Sequence, residues 1–460
     1  MSVPPIKSLV PFLTVLFLTA FAAYLAAWKH APYSTYDTAS YLAVARDLQD
    51  GSLDALHDRT VGYPFLLLLT QSAERPSRSL FVIQLVLHFV AAAMLAIVLH
   101  QHGFARRSVL WFATACVSPP FLVYTAYALT ESVLAFCIVL TFCGLRGWLL
   151  SHSGWGLAAS TLGTVLCGLI RPSLFAVGIV CAAILVLWQK SVPAASLDKR
   201  RVRAAQWSLT LVPLAICVVM VGFNRQRFHY TGLTPMMWKY LSTKTVRLVE
   251  RIPDSEPVKE YLVSVRDKAL VKPRSYHNGQ AYMHDLDKAT LSALTGIEDE
   301  GELAQYLTRL QLRLIANSPL VYLLEVGEAM VIYCFPQRVA PNAHSPAAFW
   351  LWVIVDFGLI GLFFVVTALQ LSSQFFLRHW RLSLDDSREG SAIVQEWLCF
   401  SLASAIIWYN TVSSSLFSVG ETRYRYPVDM LILLSIVLSY QTLQKVKKQV
   451  VKLQSEFVST

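Results

Sequence analysis

Charge is what this sequence has least of. Only 15% of its 460 residues are Asp, Glu, Lys or Arg, while 55% are hydrophobic, a balance that excludes an ordinary water-soluble globular protein of this length. A disulfide framework is also missing. Of the eight cysteines, Cys116, Cys137, Cys143, Cys167, Cys181, Cys217 and Cys399 fall inside apolar runs without metal-ligand spacing, and they read as small packing residues. No glycine-rich phosphate loop is visible, which removes the usual soluble nucleotide-sugar pocket. Internal repeats and low-complexity tracts are absent too, so the chain reads as one membrane domain carrying one soluble insert.

What is present is a series of apolar runs, each about as long as the roughly 20 residues that cross a bilayer core. They lie near Leu9 to Trp28, Leu80 to His100, Ser108 to Ala126, Ser132 to Leu150, Trp155 to Ile170, Leu174 to Trp188, Trp207 to Phe223, Ala347 to Leu371, Ile393 to Thr411 and Val428 to Tyr440. The expected fold is an all-α polytopic membrane protein of about ten transmembrane helices. Ala20-Phe21-Ala22 has the look of a signal-peptide processing site, but the apolar core before it is longer than a signal peptide's, so an uncleaved first span is expected.

The net charge of +10 does not point to nucleic acid, because the basic residues sit in short loops between spans. Arg106, Arg107, Arg146, Lys190, Lys199 to Arg203, Arg378, Arg381 and the tail Lys445, Lys447 and Lys448 share one side if the spans alternate. The positive-inside rule makes that side the cytoplasm and places both termini there. The other side receives the first loop (29–79) and a long polar segment. Three regions follow: 1–223 with the first loop, an insert over 224–346, and 347–460 with the last spans and basic tail. Tyr63 to Leu69 is too short to cross, and Leu320 to Phe335 carries Glu325 and Glu328, so both are expected as interfacial helices.

Within the first loop, Tyr41, Leu42, Ala45 and Leu48 share one helical face that ends at Gly51, with Asp37 at its start. In the insert, Leu303, Tyr306, Leu307, Leu310 and Leu314 mark an amphipathic helix stopped by Asn317-Ser318-Pro319, and a second helix is expected from Ser255-Glu256-Pro257.

Ionisable groups at a membrane boundary cost about 2.5 to 3.5 kcal/mol each, so those at the outward helix ends are functional candidates. They are Asp37, Arg59, Glu131, Arg171, Arg225, Arg227, Glu421, Arg423 and Arg425, all on one side in this topology. A carboxylate can take the proton of an attacking hydroxyl, and the planar fork of arginine matches a departing phosphate. Each also has a structural reading. Asp37 and Glu131 could be helix caps, Arg171 could snorkel, Arg59 could be a solvated loop charge, and Arg423 and Arg425 with their tyrosines could be an interface anchor. His88 and His100 read as satisfied helix residues, and no metal site is evident.

Tyr36-Asp37-Thr38-Ala39-Ser40-Tyr41, Asp58-Arg59, Gly62-Tyr63-Pro64, Leu129-Thr130-Glu131, Ile170-Arg171-Pro172 and Arg423-Tyr424-Arg425-Tyr426-Pro427 follow one another in an order that resembles the GT-C glycosyltransferases. The nearest group contains the dolichyl-phosphate-mannose protein mannosyltransferases and the aminoarabinose transferases of lipid A. Asn224, Thr231-Gly232 and Asn317-Ser318-Pro319 resemble that family's long loop, so the resemblance runs through nearly the whole chain. It implies a GT-C-like bundle and an inverting transferase. Such an enzyme takes a sugar from a polyprenyl-phosphate donor and passes it to a lipid, glycan or protein acceptor on the extracytoplasmic face of a bacterial plasma membrane.

The family's catalytic aspartate would be Asp37, with Glu131 as the second acidic position. Arg59, Arg171, Arg423 and Arg425 would meet the donor phosphate, and Tyr41, Tyr63 and Asn224 would be further substrate contacts. Relatives often carry Asp-Glu where this chain has Asp37-Thr38, so a scheme built on that carboxylate pair is in doubt and a divalent cation stays open as a cofactor. Membrane lipids are expected partners; nucleic acid is not. The rivals are a transporter or flippase for a lipid-linked saccharide, which predicts paired broken helices and symmetric halves, and a non-catalytic scaffold.

Overall fold

A computed structural model describes residues 9–57, 59–150, 153–191, 198–271, 278–334, 358–365, 367–368, 388–417 and 425–459. Among them every regular element is helical. The first half runs α1 (Val10–Ala27), α2 (Tyr36–Gln49), α3 (Gly62–Leu69), α4 (Arg78–Gln101), α5 (Arg106–Cys116), α6 (Pro119–Leu122), α7 (Glu131–Leu150), α8 (Gly154–Ile170), α9 (Val177–Ser191) and α10 (Lys199–Phe228). The insert contributes α11 (Met237–Thr245), α12 (Lys259–Val271), α13 (Asn278–Asp285), α14 (Lys288–Thr295), α15 (Glu300–Asn317) and α16 (Pro319–Cys334). Helices α17 (Arg388–Phe417) and α18 (Tyr426–Ser459) follow.

Four of these, α1, α4, α7 and α10, are long and apolar enough to cross a bilayer, and the number is six if each of two bent pairs makes one span. Expected spans at 155–170, 174–188 and 428–440 correspond to shorter apolar helical stretches. Of the expected span at 347–371, only 358–365 and 367–368 fall among the described residues. Large apolar side chains point outward on α1, at Val15 and Leu18, and on α10, at Trp207, Val218 and Val219. Water would not tolerate such a surface and lipid favours it, so the chain is a helical, membrane-embedded protein.

The bends have separate causes. Pro119 follows Cys116 closely, and the axis turns by 53° between α5 and the stretch Pro119–Ala126. Ser318-Pro319 ends the amphipathic α15, and the chain turns by 102° into α16, as the sequence terminator predicts. The first break lies inside an expected span, whereas α15 belongs to the core of the insert, so the two are not equivalent halves of a repeat.

The membrane core is tightest between α7 and α8, where Gly144, Gly156, Ser160 and Gly163 bring the two backbones together, the small-residue packing that lipid-embedded helices use. The insert has its own apolar core, including Tyr230, Trp238, Leu248, Leu262, Tyr282 and Leu307. Two boundaries differ from expectation. Helix α10 continues past residue 223 to Phe228, and α12 begins at Lys259, not at Ser255. Glu256 instead accepts hydrogen bonds from Tyr306 (2.5 Å) and Arg313 (2.8 Å), tying that turn to α15.

The first loop is stitched to the start of α7. Tyr33 and Tyr127 form an isolated parallel bridge, in which Tyr33 N donates to Ala126 O at 2.8 Å and Ala128 N to Tyr33 O at 3.0 Å. Thr38 Oγ1 donates to Ala128 O at 3.1 Å, and Thr60 Oγ1 donates to Ile170 O at 3.1 Å. Gly62 sits so close to the end of α8 that a Cβ there would lie 2.8 Å from Leu169 C and O. Gly62→Ala should therefore push the first loop off α8 and lower the thermal midpoint of the purified protein, at a cost of about 1–3 kcal/mol. An unchanged melt would contradict this packing.

Candidate active site

Helix α2 is capped by Thr35 and Thr38, with Thr35 N donating to Thr38 Oγ1 at 2.8 Å. This frees Asp37 from the capping role that its position suggested. Asp37 Oδ1 instead accepts a 2.6 Å bond from Arg59 Nη2. Arg59 Nε donates to Ser40 Oγ at 2.8 Å and Nη1 to Tyr240 Oη at 3.2 Å. Three of the five N–H donors of the guanidinium are thus engaged. The Arg59 guanidinium also lies 4.7 Å from the centre of the Tyr41 ring. Burial works against its charge, but Tyr41, Tyr240 and Asp37 outweigh it and hold Arg59 firmly cationic.

Glu131 opens α7 and takes a 3.0 Å bond from Arg171 Nη2, which also reaches Thr130 Oγ1 at 3.1 Å. The side chain of Glu131 is 2% exposed and that of Asp37 is 21% exposed, so of the two carboxylates Asp37 is the one open to its surroundings. The two pairs share one neighbourhood. Burial pushes the Tyr41 hydroxyl up to about 12, Arg59 pulls the other way, and Asp37, Glu131 and Tyr240 add to the rise.

The remaining sequence candidates divide. Tyr63 is buried and donates to Gln84 Oε1 at 3.1 Å, and Gln84 Nε2 donates to the carbonyls of Thr125 and Tyr127, so Tyr63 supports the loop from beneath. Asn224 Nδ2 donates to Gly232 O at 2.8 Å and holds the turn after α10. Arg425 is 1% exposed and bonds Asp429 one turn along α18 at 2.8 Å. Its neighbour Tyr426 contacts Tyr124 and His88 and donates to Phe121 O. His88 is satisfied as expected, with Nε2 2.8 Å from Cys116 O. Arg227 pairs with Asp54 at 2.5 Å. Glu421 and Arg423 lie outside the described residues.

Sequence reasoning missed Tyr240 and Ser40 as partners of Arg59. Tyr240 lies 181 residues from Arg59, and no local pattern announces a contact of that range. Among the described residues no three His, Cys, Asp or Glu side chains group as a metal ion needs. Asp37 and Glu131 are each held by an arginine.

Compared with models of protein families, with curated proteins and with solved structures, the chain has no match.

Because Glu131 is enclosed, Arg171→Ala would strand its charge. The expected loss is about 3–5 kcal/mol, read as a lower midpoint in thermal denaturation of the detergent-solubilised protein. Arg171→Lys should recover part of it. No difference between Arg171→Ala and the unmodified protein would rule out the pair.

Proposed function

We propose that the protein is an inverting glycosyltransferase of the GT-C type, built on a bundle of about ten spans. It uses a polyprenyl-phosphate sugar and works on the extracytoplasmic face of a bacterial plasma membrane, with both termini in the cytoplasm. One observation carries the reading: a partly exposed carboxylate, Asp37, is held 2.6 Å from a mostly enclosed arginine, two of whose N–H donors meet no partner among the described residues, at the edge of a membrane-embedded bundle.

In this reading the acceptor hydroxyl gives its proton to Asp37 as its oxygen attacks the anomeric carbon. The bond from that carbon to the phosphate oxygen breaks, and polyprenyl phosphate leaves with its charge against Arg59. Arg59 links the two events because one guanidinium touches the base and faces the leaving group. Glu131 and Arg171 hold the neighbouring wall as a neutral pair. Arg425, committed to Asp429, stands behind the site, and Arg423 remains a candidate for the phosphate.

Incubating the purified protein with a panel of polyprenyl-phosphate sugars, scored for donor consumption, tests the activity. Asp37→Asn should remain folded and inserted and lose about 10²- to 10⁴-fold in rate, the usual contribution of a general base. Full activity in that variant would defeat the assignment.

A further inference from the structure

Helix α10 begins with Lys199, Arg200, Arg201 and Arg203 against a single acid, Asp198. That carboxylate is already committed, accepting from Arg200 N at 2.8 Å and pairing with Arg201 Nε at 3.4 Å. Lys199, Arg200 and Arg203 are exposed, and no carboxylate of the described residues pairs with them. Arg200 and Arg203 start a row that continues through Trp207, Leu211, Leu214 and Val218, each three or four residues after the last and so on one helix face. All six are exposed. From Trp207 to Val218 the row rises about 16 Å, close to half of the roughly 30 Å hydrocarbon core. From the basic end inward it is cationic, then indole, then aliphatic, through the depth of one leaflet.

Helix α8 lays a second row beside it. At the end of α7, Trp148 Nε1 donates to Arg201 O at 2.9 Å, so α8, which starts just after, runs parallel to α10 from the same end. The Thr161 and Ser208 hydroxyls meet at 2.9 Å. Each stands one residue, about a quarter turn, from an exposed apolar side chain, Leu162 on α8 and Trp207 on α10. Trp155 is 85% exposed and lies about 9 Å back along α8 from Thr161, level with the turn that carries Arg200 and Arg203. The two outward rows form one surface with cations and indoles at its rim.

The apolar part of this surface would suit any lipid, but its rim selects by charge. A basic segment at the end of a span is drawn to anionic headgroups, and the planar fork of arginine matches phosphate oxygens. We propose that this face of α8 and α10 binds an anionic phospholipid of the leaflet at the basic end. Its phosphate lies on Arg200 and Arg203, its headgroup boundary beside Trp155 and Trp207, and an acyl chain along Leu211, Leu214 and Val218. From Arg203 to Arg227, which meets Asp54, α10 rises roughly 36 Å. The lipid site is therefore separate from Asp37 and Arg59 and does not depend on the reaction proposed there.

The test uses the full-length protein in phosphatidylcholine nanodiscs, with a bimane fluorophore on Leu211→Cys in a cysteine-free background. A minor fraction of lipid with brominated chains, either phosphatidylglycerol or phosphatidylcholine, serves as quencher. Brominated phosphatidylglycerol should give equal quenching at roughly a fifth of the fraction or less, the worth of one such cation. About 1 M salt should shrink that preference. Arg200→Gln with Arg203→Gln should abolish it, and Arg200→Lys with Arg203→Lys should keep most of it. Arg106→Gln with Arg107→Gln, the same charge taken from α5, should leave it intact. Equal quenching by the two lipids overturns the proposal, and so does a preference that salt does not weaken. A preference that survives loss of Arg200 and Arg203, or that falls as far when Arg106 and Arg107 are replaced, also overturns it, because the enrichment would then belong to the protein's overall charge.

Discussion

The structure depends on keeping two arginine–carboxylate pairs together where water is scarce. An arginine or a carboxylate alone at a membrane boundary would be costly, and neither pair could form from neighbouring residues: Arg59 lies 22 residues from Asp37, and Arg171 lies 40 from Glu131. The fold therefore has to bring four chain segments to one place. It does so with backbone and hydroxyl bonds, namely the Tyr33–Tyr127 bridge, Thr38 to Ala128 and Thr60 to Ile170. These bonds bind the first loop to the helix ends.

Given that framework, the two pairs are unequal. Glu131 is sealed, so its bond with Arg171 serves to hold the ends of α7 and α8 together with a neutral contact. Asp37 is open to one side, and Arg59 reaches past it to Tyr240 in the insert. The insert is thereby coupled to the first loop through a charged side chain, with further ties from Arg227 to Asp54 and from His57 to Glu300 at 3.3 Å. A carboxylate supported in this way is oriented by groups from both the first loop and the insert, so loops distant in sequence act as one surface.

The all-helical, membrane-embedded character was legible in the sequence, because hydrophobic run length is a strong signal in lipid. The helix with Asp37 near its start, the short helix Gly62–Leu69 and the amphipathic helix stopped at Asn317 are all present where run length, periodicity and terminators put them. The cost of intramembrane charge picked out Asp37, Arg59, Glu131 and Arg171, but could not say which arginine met which acid. Capping was left open in the sequence, where Asp37 could cap the helix or act in chemistry, and Thr35 and Thr38 turn out to form the cap. Asn224 looked like a substrate contact, yet its amide closes a local turn. Tyr240 was invisible because its significance comes from the insert folding back over the first loop.

The central claim is that the first loop and the start of α7 lie side by side at one end of the bundle. A cysteine-free background carrying Tyr33→Cys and Tyr127→Cys, oxidised mildly in intact membranes, tests it most directly. Rapid formation of the intramolecular disulfide is the predicted result, because these two backbones form a bridge. Failure to cross-link in folded, membrane-inserted protein, with both positions open to labelling from opposite sides of the membrane, would contradict the account.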